Sequence, residues 1–258
     1  MALTPNEASD VENCIQGYMQ DHVNRPFGIL RERGVVSELR NRLERLVFPR
    51  PVSPAGFMHY PPKPPYAASG FNRSGVVTDV LRVQQEIETA PFGTVRSGTV
   101  KQLDIAVLGQ SPMLHCAANG PGDVVQWIGA DSLDAAIEVK ASPSVNADMK
   151  GEYVKDILAL LNLRRGPPNN VSNCHFVLLD KSIGLYGQPA PSARLIKWNN
   201  QAQQNIHFRA RQKPTIKHTD LPSAGLHIAN TAPSQPYVEI WTIEQRSGTW
   251  QPVRYYAY

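Results

Sequence analysis

The chain has 258 residues, of which 41% are hydrophobic and 19% charged, a balance that excludes wholesale disorder and suits one large domain or a domain with an appendage. No apolar run approaches the roughly 20 residues of a membrane span, and the N-terminal MALTPNEASD has no basic segment followed by an apolar one, so a soluble, cytoplasmic chain without a membrane partner is expected. The net charge is +4, and Cys14, Cys116 and Cys174 stand far apart with no CxxC pair, which argues against a disulfide framework and against a zinc knuckle.

Residues 11–24 and 34–48 read as helices. In the second, Val36, Leu39, Leu43 and Leu46 recur at helical spacing, with Arg40, Arg42 and Arg45 off that stripe. Pro49 ends it, and seven prolines between Pro49 and Pro65 predict an extended strap without regular structure. Leu81, Val83, Gln85 and Ile87 then alternate with Arg82, Gln84, Glu86 and Glu88, and the chain turns through PFGTVRSGT into a second strand, Gln102–Leu108, which together predict a hairpin. A Gly/Pro/Asn-rich insertion follows; it needs a loop or an added strand pair around Met113–Ile128, and it leaves Asp123, Asp131 and Asp134 in turn-like text.

Next come a strand at Ala135–Lys140, a helix from about Ala147 to Leu163 that stops at Arg164-Arg165-Gly166-Pro167, and an apolar strand at His175–Leu179. Strand, helix, strand is a crossover unit, so these two strands are expected to be parallel neighbours. Tyr237–Gln245 and Thr249–Tyr255 form a last hairpin turning at Ser247-Gly248.

Charge says more by position than by total. From Lys181 to Thr219 there is no acid, yet there are seven cations: Lys181, Arg194, Lys197, Arg209, Arg211, Lys213 and Lys217. Tyr186, Trp198, His207 and Phe208 interleave with them, a mixture suited to phosphate contacts and base stacking. The plain reading of such a stretch is a solvated loop.

The chemistry-bearing residues lie on two strands. Leu103, Ile105 and Val107 share one face of a strand and Asp104 takes the other; a lone carboxylate there is costly to bury. Ile137 and Val139 likewise share one face, and Glu138 and Lys140 the other. Two carboxylates on neighbouring strands can hold a hard divalent cation, and an ammonium beside them can orient a water. Glu-x-Lys by itself is weak, since 11 Glu and 9 Lys produce roughly 0.4 such triplets by chance. Asp148-Met149-Lys150 has the same spelling, but at a helix start the period of 3.6 splays its two side chains.

Asp104, Glu138-Val139-Lys140, the segment GEYVKDILALLNL and the strand HFVLLD together resemble the PD-(D/E)XK nuclease superfamily over roughly residues 30–180. The resemblance implies an α/β, restriction-endonuclease-like fold: a mixed β-sheet flanked by helices, here with a C-terminal β-hairpin. It implies a single nuclease domain, with a basic, strand-rich part from about residue 181 to residue 258. It further implies that Asp104 and Glu138 hold Mg²⁺, with Mn²⁺ as a substitute, that Lys140 positions the attacking water, and that Glu38 from the first helix completes the shell; Glu32 and Glu44 compete for that last role. Arg194, Lys197, Arg209, Arg211, Lys213 and Lys217 would bind the nucleic-acid backbone, DNA being favoured over RNA by the resemblance alone, and a homodimer is compatible with it. Two rivals share these residues: a non-catalytic nucleic-acid or protein-binding module on the same fold, and an interbacterial nuclease toxin. No G-x-S-x-G, Walker A or G-x-G-x-x-G sequence is present, which argues against serine-nucleophile, nucleotide-hydrolysing and dinucleotide chemistry.

Overall fold

A computed structural model describes residues 3–24, 32–60, 79–90, 101–120, 123–141, 156–164, 171–179 and 227–258. The chain is α/β, with helices and a mixed sheet, and among the described residues no helix is long and apolar enough to cross a membrane. It divides into two compact units that interleave along the sequence: Met1–Cys14, Val36–Ile137 and Arg165–Asn173 form the first, and Ile15–Val35, Glu138–Arg164 and Cys174–Tyr258 the second.

Helix α1 (Pro5–Asn24) starts earlier than the expected residue 11. The Glu7 N–H donates to Thr4 Oγ1 (3.2 Å), and the Thr4 N–H donates to Glu7 Oε2 (2.9 Å). This is a capping box with proline at the first helical position, and it nucleates a turn before the apolar periodicity begins. Helix α2 (Glu32–Leu46) buries Val35, Val36, Leu39 and Leu43, but Leu46, expected on the same stripe, is 72% exposed. The helix ends at this point: the Val47 and Phe48 N–H groups both donate to the Leu43 carbonyl (3.0 and 2.9 Å), and Phe48, just past the helix, is buried.

The strand β1 (Gly56–Tyr60) corrects the expectation of a strap without regular structure. It occupies the proline-free run between Pro54 and Pro61. A proline removes a ladder donor only at its own position, so a strand fits between two of them. The proline-rich residues 61–65 lie outside the described residues.

In the first unit the strands run in the order β1, β4 (Met113–Gly120), β5 (Asp123–Gly129), β2 (Val83–Ala90), β3 (Lys101–Leu108), β6 (Leu133–Lys140). The pairings β1–β4 and β5–β2 are parallel; β4–β5, β2–β3 and β3–β6 are antiparallel. The β2–β3 hairpin is therefore as expected, and the insertion is an added strand pair rather than a loop. Leu103, Ile105, Val107, Ala135 and Ile137 are fully buried, which makes β3 and β6 the centre of this unit's core.

That core holds a buried cation. Arg82, expected on the polar side of its strand, donates from Nε to the Leu108 carbonyl (2.9 Å), from Nη1 to Glu7 Oε1 (2.6 Å) and from Nη2 to Asp134 Oδ2 (2.9 Å). Its guanidinium lies 4.4 Å from the centre of the Phe48 ring. Asp134, read from the sequence as turn-like, is a buried residue of β6. Burial pushes its carboxyl up, with Arg82 opposing, and Oδ1 has no hydrogen-bond partner. Burial also acts to raise Glu7, but its bonds from Thr4 and Arg82 outweigh that and hold it below the usual carboxylate range.

The second unit carries α3 (residues 156–164), the last residues of β6, and β7 (Asn173–Leu178), β9 (Val238–Arg246), β10 (Thr249–Ala257) and β8 (Ile228–Ala229), the last four adjacent in that order. Ile157, Leu160 and Leu161 are buried as the helical spacing predicts; residues 147–155, including Tyr153 and the Asp148-Met149-Lys150 triplet, lie outside the described residues. The Leu179 N–H donates to the Lys140 carbonyl (2.7 Å), so β6 and β7 end side by side, as a parallel crossover requires. The β9–β10 hairpin turns at Ser247 (φ 51°) and Gly248 (φ 81°), two left-handed residues of the kind that match the strand twist. Beside it, buried His175 places Nδ1 3.3 Å from Glu239 Oε2, and Arg254 Nη1 lies 3.5 Å from the same oxygen. Burial would raise Glu239, but its bonds with His175 and Arg254 hold it below the usual range.

Candidate functional site

The end of β6 gathers the charged groups of the second unit. Glu138 sits on a strand whose neighbours Ile137 and Val139 are fully buried, and it is itself 3% exposed. A carboxylate in such surroundings needs a compensating charge. Period-2 alternation brings Lys140 to the same face, and its Nζ lies 4.0 Å from Glu138 Oε2. The ammonium is nearer to a second carboxylate, Asp156 Oδ2 on α3, at 3.2 Å. Directly after Lys140, the Ala141 N–H donates to Glu32 Oε2 (2.9 Å), so the first turn of α2 ties down the backbone where the strand ends. Two carboxylates thus flank one partly exposed ammonium, and a third, Glu32, holds the backbone of the next residue.

Asp104 lies in the first unit. It is half-buried on β3 between the fully buried Leu103 and Ile105. Gln85 pairs with Ile105 and Ile87 with Leu103, so Glu86 stands across from Asp104. Glu86 is exposed and adopts φ 51° in mid-strand, a left-handed conformation that costs on the order of 1–3 kcal/mol for a non-glycine residue. The β3–β6 ladder pairs Ile105 with Ile137.

Glu38 also lies in the first unit, on the part of α2 that bonds to β2 through Arg40 Nη2 to the Val83 carbonyl (3.4 Å) and through Ser37 to Gln85 (3.1 Å). Its carboxylate accepts from Arg42 Nη2 (3.1 Å) in a half-buried i,i+4 pair, and Glu44 pairs with Arg40 (2.6 Å) in the same manner. The α2 carboxylate that reaches the β6 terminus is Glu32.

Of the residues singled out from the sequence, the structure therefore brings together Glu138 and Lys140. It adds Glu32, a weighed competitor, and Asp156, a residue of the segment GEYVKDILALLNL whose expected role was helix polarity. The basic residues Arg194, Lys197, Arg209, Arg211, Lys213 and Lys217 lie outside the described residues. Among the described residues no group of three or more His, Cys, Asp or Glu side chains is arranged to hold a metal ion. Comparison of the chain with family models, with curated proteins and with solved structures found no match.

Proposed function

We propose that the chain is a metal-dependent nuclease of the restriction-endonuclease-like type that hydrolyses phosphodiester bonds, with DNA as the favoured substrate. The observation that carries this reading is the buried Glu138 carboxylate sharing a strand terminus with the Lys140 ammonium.

In this reading Asp104 and Glu138 hold Mg²⁺, with Mn²⁺ as a substitute. When bound, the cation polarises the scissile phosphate and stabilises charge on the leaving oxygen. Lys140 orients the attacking water, its position set by Asp156. Glu32, rather than Glu38, is the α2 carboxylate assigned to the site, because its bond to Ala141 anchors the strand terminus. The cations between residues 181 and 217 hold the substrate backbone, which contributes affinity rather than sequence choice.

Incubation of the purified protein with plasmid, linear DNA and RNA, in Mg²⁺ or in EDTA, tests the reading. Cleavage is expected in Mg²⁺ only, and Glu138→Ala and Asp104→Asn are each expected to abolish it while leaving nucleic-acid binding nearly intact. Undiminished cleavage by both variants, or binding without any cleavage, overturns the proposal; the second result would leave a binding module. Replacing Arg209, Arg211 and Lys213 with Ala should flatten the dependence of log affinity on log salt by up to about 0.9 per lost phosphate contact.

A further inference from the structure

A buried imidazole in the second unit has two claimants for one of its nitrogens. The register pairs His175 with Glu239 and Val177 with Trp241, and period-2 alternation sets Glu239 and Trp241 on one face of β9, so both side chains reach the His175 ring. The Trp241 Nε1–H donates to His175 Nδ1 (3.4 Å), and Glu239 Oε2 lies 3.3 Å from the same nitrogen. An imidazole nitrogen accepts a hydrogen bond when it holds a lone pair and donates one when it holds a proton, never both. The indole needs an acceptor at Nδ1, and the carboxylate needs a donor there. All three residues are buried, so it is the proton on Nδ1, rather than water, that decides between them.

We propose that His175 is a proton-controlled switch: neutral, its Nδ1 holds the Trp241 indole; protonated, it releases the indole and donates to Glu239. Glu239 is compensated in both states. With His175 neutral it has Arg254, whose Nη1 lies 3.5 Å from Oε2; with His175 protonated it gains a charge-assisted bond that outweighs the long neutral one from the indole. Burial acts to raise its carboxyl, and His175 and Arg254 together hold it below the usual range, so the anion is present where a histidine changes charge. The His175 Nε2 is buried without a hydrogen-bond partner and carries a hydrogen in both states, so it favours neither. Among the described residues no second carboxylate comes within ion-pair distance of the ring. Glu138 and Lys140 on β6 and Asp156 on α3 make the pairs given above, and the charge that β10 brings is Arg254. The exchange reaches that arginine, which lies 5.2 Å from the centre of the Trp241 ring and shares the Glu239 oxygen with His175.

The test is the Trp241 indole N–H resonance in proton–nitrogen correlation spectra of the full chain, assigned by its loss in Trp241→Phe and followed from about pH 8 to about pH 5. It is expected to move upfield in a single titration step, as an indole proton does on losing its acceptor, and to exchange faster with water at the acid end. At the alkaline end the ring nitrogens of His175 should report a neutral form protonated on Nε2. Glu239→Gln should move the midpoint down by about one pH unit, a tenfold loss of proton affinity, because the protonated state loses its anion. His175→Gln, whose amide oxygen can still accept from the indole, should hold the resonance at its alkaline position throughout. An indole resonance that ignores pH, one that moves alike in His175→Gln, or an unchanged midpoint in Glu239→Gln overturns the proposal. So does a neutral His175 with its proton on Nδ1, a result read on the native chain and therefore independent of whether any variant folds.

Discussion

Two charge clusters, one in each unit, are built from the same ingredients and held very differently. Around Arg82 a planar guanidinium is locked by two carboxylates, a carbonyl and an aromatic face at 2.6–2.9 Å and 4.4 Å. Around Lys140 an ammonium, 19% exposed, lies between two carboxylates at 3.2 and 4.0 Å. The first uses every direction of a rigid fork and leaves nothing for a ligand to replace. The second is looser and nearer to water. A buried cation bonded at each nitrogen serves architecture, whereas the Lys140 ammonium is partly open to solvent.

The largest effect that separates the two is expected at Arg82. Arg82→Ala strips the charge partner from the buried Asp134 and the contact from Phe48, and should cost about 3–5 kcal/mol of folding stability, read from urea unfolding. A loss below about 1 kcal/mol, the level of a surface ion pair, would mean that the cluster is not the clasp its distances describe.

A smaller, pH-dependent effect is expected at Asp134. Burial raises its folded carboxyl above the ordinary value of 3.8, so the folded state binds that proton more tightly than the unfolded state does. Stability from this group is present at low pH and is lost as pH rises through the folded value. Glu7 has the opposite sign: it is lowered from 4.5, so its contribution is present above that value and lost as pH falls through the folded one. Asp134→Asn removes only the first term. The variant should therefore gain on the native chain as pH rises from about 3 to about 7, followed by thermal melts; a difference that stays constant with pH would remove burial as the dominant influence on Asp134.

The smallest effect is expected at Lys140. Lys140→Met should cost about 1–3 kcal/mol, less than Arg82→Ala, because the ammonium is partly exposed and its arm to the buried Glu138 is long. A loss as large as that of Arg82→Ala would break the comparison and make Lys140 a second architectural cation.

Short-range patterns made much of this chain legible. Apolar positions at helical spacing located α2, alternation located β3 and β6, and Ser-Gly located the β9–β10 turn, while the insertion, too long for a plain hairpin connection, left a loop and an added strand pair both open. Thr4-Pro5-Asn6-Glu7 carries an equally local signal, which the apolar periodicity used to place α1 does not contain. Glu138 and Lys140 were legible as a pair because a strand's period of two sets their common face without reference to any other element.

What the tertiary structure alone decided were long-range pairings of charge and the side chains that end up inside. Arg82 looked like an outward-facing strand residue and Asp134 like part of a turn. Their partners lie 52 to 75 residues apart in sequence, and no window of the chain reports such a meeting. Glu32 and Asp156 reach the end of β6 for the same reason: the strand ends where a helix from each side of it in sequence delivers a carboxylate. The sequence by itself determined which segments repeat with a period of two or 3.6, because that follows from backbone geometry one residue at a time. Which carboxylate a given cation meets depends on how those segments pack, and it was decided only when they did.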